Sequence, residues 1–433
     1  MNMNKIIPAI LSIALFTTAC EKEFLDVDQP GVVAISSTVD YDLLLNADAI
    51  NGTFAWPLLH LNDNFEFPSN DAPTGAAGMI YTWQEQPYQD EDPDLWSMPY
   101  LAIYHANLVI NEVERSTGGS AQEKSRLKAE ALLSRAYSHF CVAQLFAKPY
   151  NPATAGADPG IPYVTISDMY AKTPDRQTVK IVYEKIIADI TEAIPNLPNT
   201  NNASFRGSKA AAYGLLARVY LHMKDYEKVI TNADAALTLK STVLDYTLPT
   251  FVMPALVNNG EFLYLRINSE LDHLFNAVLT PDAEALLSFT DTRRDLYAPF
   301  GYALLDSHYG ITVPETLLSK AEALARKTTP DLNAALTILN NLHVKRDTDH
   351  TNLSSSDADE VIDWIVEERR REVLPSGIRW FDMRRLAAEG RTATVTRTVG
   401  TDTYTLTPDS KKYTLQIPQS VINFNPGMPQ NDR

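Results

Sequence analysis

The chain is poor in cysteine: 433 residues hold two, Cys20 and Cys141. With Cys20 modified, as read below, no disulfide framework is left to hold the protein together. Long apolar runs are equally scarce. Ile6–Phe16 is one, but it is about half the ~20 residues a membrane-spanning helix needs, and no later run is long enough. Positive charge is also short. Lys and Arg number 37 against 54 Asp and Glu, for a net charge of −17, which argues against nucleic acid and anionic lipid surfaces as partners. Enzyme motifs are missing as well. There is no His-Glu-x-x-His, no Gly-x-Ser-x-Gly elbow, no phosphate-binding glycine loop and no calcium loop, and the eight histidines stand singly. Hydrolase chemistry therefore has no anchor here, and nothing asks for a cofactor or a metal. Paired carboxylates for glycoside hydrolysis depend on a geometry that sequence does not display.

What is present begins with a leader. Lys5, a short apolar core and the small residues Thr17-Thr18-Ala19 make residues 1–19 a secretory signal peptide. Cys20 directly after the cut site reads as the acylated first residue of a bacterial lipoprotein, although Thr17 stands where such sites usually carry Leu. Acylation would also remove an exposed thiol from an oxidising compartment. The acidic stretch Glu21–Pro30 reads as a tether. From Tyr41 to about Asp94, Asn, Asp, Pro and aromatics predominate, predicting long ordered loops with one short helix near Tyr41–Ala47. Cys141, inside the apolar helical stretch Ala136–Leu145, reads as a buried small hydrophobe.

Helices follow. Periodicity predicts Leu95–Glu114, Ala121–Phe146, Val179–Ile194, Ser208–Met223, Tyr226–Leu239, Glu315–Arg326, Leu332–Val344 and Asp357–Leu374. Alternation predicts a hairpin of Thr403–Leu406 with Tyr413–Ile417 across Pro408–Lys411. Small residues at Ala217, Ala233, Ala236, Ala321, Ala323 and Ala325 suit close helix crossings. They fit a tetratricopeptide-like repeat and a generic alanine-rich bundle about equally.

Five stretches in order carry a more specific signal: Trp96–Asn107; Lys128–Tyr137 running to Phe146–Tyr150 and Gly160–Tyr163; Ser208–Leu221; Ile365–Glu372 with Gly377–Arg385; and Ile417–Gln419 with Asn425–Asn431. Together they resemble the RagB/SusD family of outer-membrane nutrient-binding lipoproteins. Ser376 replaces the Glu usual before the motif glycine, and the chain is short for the family, with the missing length expected between Lys240 and Glu315. The resemblance implies a mainly α, tetratricopeptide-like scaffold with long aromatic loops and a minor hairpin. It implies an N-terminal region over residues 20–210 and a C-terminal region over 211–433, joined as one unit. It further implies a lipid-anchored protein on the outer face of the outer membrane. There it would capture oligosaccharide without cleaving it and pass it to a SusC-like TonB-dependent transporter. Some relatives take peptides instead, and an exported glycoside hydrolase is the alternative from another class.

Two groups of residues present flat aromatics beside short polar side chains, as a sugar ring requires. Trp56, Asn62, Asp63, Asn64, Trp83 and Trp96 form the first; Arg293, Tyr297, Phe300 and Tyr302 the second. Any one of them, Trp96 above all, is better explained as packing a loop on the scaffold; as groups they point to a ligand site. The run Glu367–Glu372, followed by Arg379, Asp382, Arg384 and Arg385, is read as an ion-pair network bracing the last helix over Trp380. His139 and His222 are read as packing or surface residues.

Overall fold

The computed structural model describes residues 35–52, 57–68, 71–88, 93–168, 170–267, 277–297, 308–374 and 376–433. The leader, Cys20, Trp56, Phe300 and Tyr302 lie outside them.

The longer helices are α1 (Asp94–Glu112), α2 (Ala121–Phe146), α3 (Val179–Ala193), α4 (Lys209–Met223), α5 (Tyr226–Leu239), α6 (Val313–Arg326), α7 (Leu332–His343), α8 (Ala358–Glu372) and α9 (Arg379–Ala387). A short polar residue opens seven of them. Ser120, Thr178, Ser208, Asp225, Thr312, Asp331 and Asp357 each accept a first-turn backbone N–H. Between α4 and α5, Lys224 turns left-handed at φ +62° and stops the helix.

Each helix packs on its neighbours: α1 on α2, α2 on α3, α3 on α4, α4 on α5, α5 on α6, and α6 on both α7 and α8. This is the tetratricopeptide-like stacking of helical pairs. Small residues make it possible. Ala217, Ala233, Ala236, Ala321, Ala323 and Ala325 are all buried, and a Cβ on Gly214 would stand 3.0 Å from both Ile311 and Leu263 side chains. The largest apolar cluster runs from Leu58 and Leu61 through Tyr137 and Phe140 to Trp380, Phe381 and Ile417, so it draws on both sides of residue 210. Cys141 is within it, free and fully buried, and burial pushes its thiol up to about 12.

Strands are few. β1 (Phe65–Glu66), β2 (Phe262–Tyr264), β3 (Val278–Leu279), β4 (Ile311–Thr312), β5 (Val395–Val399) and β6 (Asp402–Leu406) form three antiparallel pairs, β1–β3, β2–β4 and β5–β6. The expected hairpin is therefore corrected. The Thr403–Leu406 segment pairs backward with Val395–Val399 across Gly400-Thr401, and Tyr413 ends a short 3-10 turn, Lys411–Tyr413. Gly400 takes φ +61°, which suits the first position of a two-residue hairpin loop. The helix α9 is one that periodicity did not predict, and Trp380 is buried on it.

Candidate functional site

Several loop ends of the described chain meet in one place, the loop-bearing end. The described chain breaks off at Gly52, Ile267 and Tyr297 and resumes at Pro57, Ala277 and His308. Several of these ends are tied together. The Ile267 amide donates to the Asn51 carbonyl at 3.3 Å, and Ile267 bridges His308. His308 in turn receives Ser376 Oγ at 2.9 Å and the Gly377 amide at 3.2 Å on its carbonyl. Thr280 binds the carbonyls of Asn64 and Asp63, each at 2.9 Å, just after β3 leaves its pairing with β1. Gly377 is required here, because a Cβ would sit 2.0 Å from the Tyr309 ring.

The predicted residues Asn62, Asp63 and Asn64 are brought together at this end. Asp63 takes a fork of two 2.8 Å hydrogen bonds from Arg379 and lies 3.3 Å from Arg370. Burial alone would raise its carboxyl, but the two guanidinium groups outweigh that and hold it well below the usual carboxylate range. Arg370 Nε donates to Asn64 Oδ1 at 2.9 Å, and the Asn64 amide donates to Asn62 Oδ1 at 2.9 Å. Both asparagines are fully buried, yet Nδ2 of each lacks a hydrogen-bond partner. Asn51 Oδ1 and His308 Nδ1 are in the same condition. An unmet buried donor or acceptor costs about 1–3 kcal/mol, so these four are groups that an enclosed water would satisfy.

The predicted aromatics behave differently. Trp83 is 1% exposed, donates Nε1–H to the Leu61 carbonyl at 3.0 Å and lies under the Arg397 guanidinium at 4.2 Å. Trp96 is buried against Tyr100 and Phe146, each 4.9 Å away between ring centres. Tyr297 joins Phe65, Phe67, Tyr81 and Leu374 in a second apolar cluster. In this packing the stacking roles expected of Trp83, Trp96 and Tyr297 give way to core roles, because burying the large rings outweighs presenting them. Arg293, expected in the second group, is fully buried and bound to Asp291, Glu368 and Glu372 at 2.7–2.8 Å. Trp56, Phe300 and Tyr302 are the members that fall outside the described residues.

The charged run of α8 forms the bracing network expected of it. Arg369 joins Glu315 and Asp382, Arg385 joins Asp382 and Glu322, and Arg371 joins Glu368 three residues back. Burial pushes the Glu368 carboxyl up, but Arg293 and Arg371 prevail and hold it at about 2. It therefore stays ionised at neutral pH and has no proton to give a leaving group. Sequence reasoning missed the partners Arg293 and Arg346 of Glu372, which come from 79 and 26 residues away. His139 and His222 are buried; His139 stacks on Tyr163 at 3.8 Å. Among the described residues one group, Asp291, His343 and Asp347, offers ligand atoms within 4.8 Å of one another. Arg293 already occupies both Asp291 oxygens, at 3.0 and 2.7 Å, and would set a cation against a cation.

Comparison with known proteins identifies the scaffold. Residues 24–221 match a family described as SusD-like, starch-binding associating with outer membrane, and residues 313–433 match the SusD family. A SusD-like protein of Bacteroides ovatus is 27% identical over 250 residues, and SusD-like protein P2 of Formosa agariphila is 28% identical over 189. Those alignments take in 53% and 42% of this chain but 41% and 30% of the relatives' own lengths. Among solved structures, a SusD superfamily protein of Bacteroides thetaiotaomicron superposes over 92% of this chain and 100% of its own, with TM-score 0.76 and 21% identity. Surface glycan-binding protein A of Bacteroides uniformis does so over 91% and 99%, with TM-score 0.70 and 17% identity. The helical-pair scaffold, the buried α8–α9 ion network and the two family matches, which together span well over half the sequence, agree: this chain belongs to the SusD/RagB family.

Proposed function

We propose that this protein is a glycan-binding lipoprotein of the outer membrane. It captures oligosaccharide at its loop-bearing end and hands it, uncleaved, to a SusC-like TonB-dependent transporter. The observation that carries the reading is the SusD/RagB match on both halves of the chain. The structural neighbour named for surface glycan binding supports the ligand class, and the leader with Cys20 supports lipid anchoring.

The site we infer uses the sequence candidates Trp56 and Tyr302 for stacking. Trp56→Ala is expected to lose about 1–3 kcal/mol of glycan affinity, roughly tenfold to hundredfold, with unfolding unchanged. Wild-type affinity in that variant would remove Trp56 from the site. Delivery is tested by mild detergent extraction. A lid held on its barrel should bury more than ~2,000 Å², so a large β-barrel protein should co-purify. A monodisperse monomer across several detergents would overturn that part. A fatty-acid probe should label the wild type and not Cys20→Ser.

A further inference from the structure

Between the α2–α3 connection and the C-terminal segment a cleft of about 560 Å³ opens. Tyr150 and several prolines give it apolar walls, Lys148, Lys224 and Lys411 line it, and Arg384 lies in its lining. Arg384 is unusual in this molecule. It is 1% exposed, and three of its N–H groups go to backbone carbonyls, of Tyr413 at 2.7 Å and of Gln144 and Ala147. Among the described residues, every other arginine buried to this degree pairs with a carboxylate or lies on an aromatic ring. Arg384 has neither. Gln144 and Ala147 belong to the C-terminal end of α2, whose dipole offsets about half a charge. The remainder of a buried cation is normally met by an anion.

Of the lysines around the cleft, Lys411 is the loosely paired one, and Asp158, Asp409 and Asp432 share the lining. Lys148 pairs with Asp158 at 2.8 Å and Lys224 with Glu389 at 2.9 Å, while Lys411 stands 4.0 Å from Asp432 and is two-thirds exposed. The cleft is larger than a bare anion needs. Tyr150 offers a ring, and Asn151, Ser410 and Asp409 offer partners for hydroxyls. We infer that this cleft is a second binding site, for the carboxylate-bearing sugar of an acidic oligosaccharide. The carboxylate would sit toward Arg384, Lys224 and Lys411, and the ring along Tyr150. The inference rests on the glycan-binding reading above and adds to it a place and a charge.

The test is calorimetric titration of the whole mature chain with a disaccharide of galacturonic acid and with the neutral galactose disaccharide of the same linkage. The acidic disaccharide should bind at least about tenfold more tightly, as a charge-assisted contact requires. The double variant Lys224→Gln/Lys411→Gln alters exposed or half-exposed side chains only, so it should fold and lose that preference. Trp56→Ala should keep it. Equal binding of the two disaccharides, or a preference that survives in the double variant, overturns the inference. If neutral glycans still bind and lose affinity in Trp56→Ala, the proposed function stands without the second site; if no glycan binds at all, both fall.

Discussion

Trp83 illustrates what single residues contribute. Its Thr, Gly and Tyr neighbours made it a stacking candidate, but it follows the short helix Gly75–Tyr81, its indole is enclosed and its backbone is left-handed at φ +52°. Trp83→Ala should cost about 3–5 kcal/mol of stability, as truncation of a buried aromatic does, measurable by denaturant titration. A loss of glycan affinity with stability intact would return it to the ligand site. Glu368→Gln should also destabilise, by about 3–5 kcal/mol, because Arg293 would keep a buried charge with a partner missing. Glu367 is half exposed, with only a 3.5 Å approach from Arg371, so Glu367→Gln should change stability little. The sequence did not separate Glu367 from Glu368. Adjacent glutamates on one helix differ in environment only through which face the rest of the fold covers.

At the scale of elements, the helices were legible because their signals are local: a polar cap, an apolar period and a stop. Predicted and observed limits of Ala121–Phe146 and Tyr226–Leu239 coincide. The hairpin was misread because Val395–Val399 and Tyr413–Ile417 both alternate, and the choice between them lies in the Gly400 turn. Gly377 joins two elements by having no side chain. Gly377→Ala should cost about 1–3 kcal/mol by forcing Tyr309 aside, read as a fall in Tm. Acid should loosen the molecule in two stages. Burial lowers the His308 imidazole from 6.5 to about 4, and His139 and His222 shift the same way. The unfolded chain therefore binds these protons first, so stability is complete above pH 6.5 and falls as pH drops toward 4. Glu368, held at about 2 against an ordinary 4.5, adds a second loss from 4.5 toward 2. Thermal melts at half-unit pH steps should show both; a melting temperature flat from pH 7 to 4 would contradict the first.

The whole molecule was legible where five scattered stretches fall in family order. The candidate site was legible only in part. Asn62, Asp63 and Asn64 are neighbours in the chain whose anchoring by Arg370 and Arg379 no local pattern announces, and which loop aromatics face a ligand depends on long-range packing. The largest apolar cluster draws on residues from both sides of residue 210. The central claim is binding without turnover. It is tested most directly by titrating the chain, freed of its leader, with the best oligosaccharide from a broad panel, then analysing the sugar by chromatography. Saturable binding with the oligosaccharide recovered at full length is the expected result. Absence of binding to every glycan in the panel, or shorter sugars accumulating on standing, would contradict it.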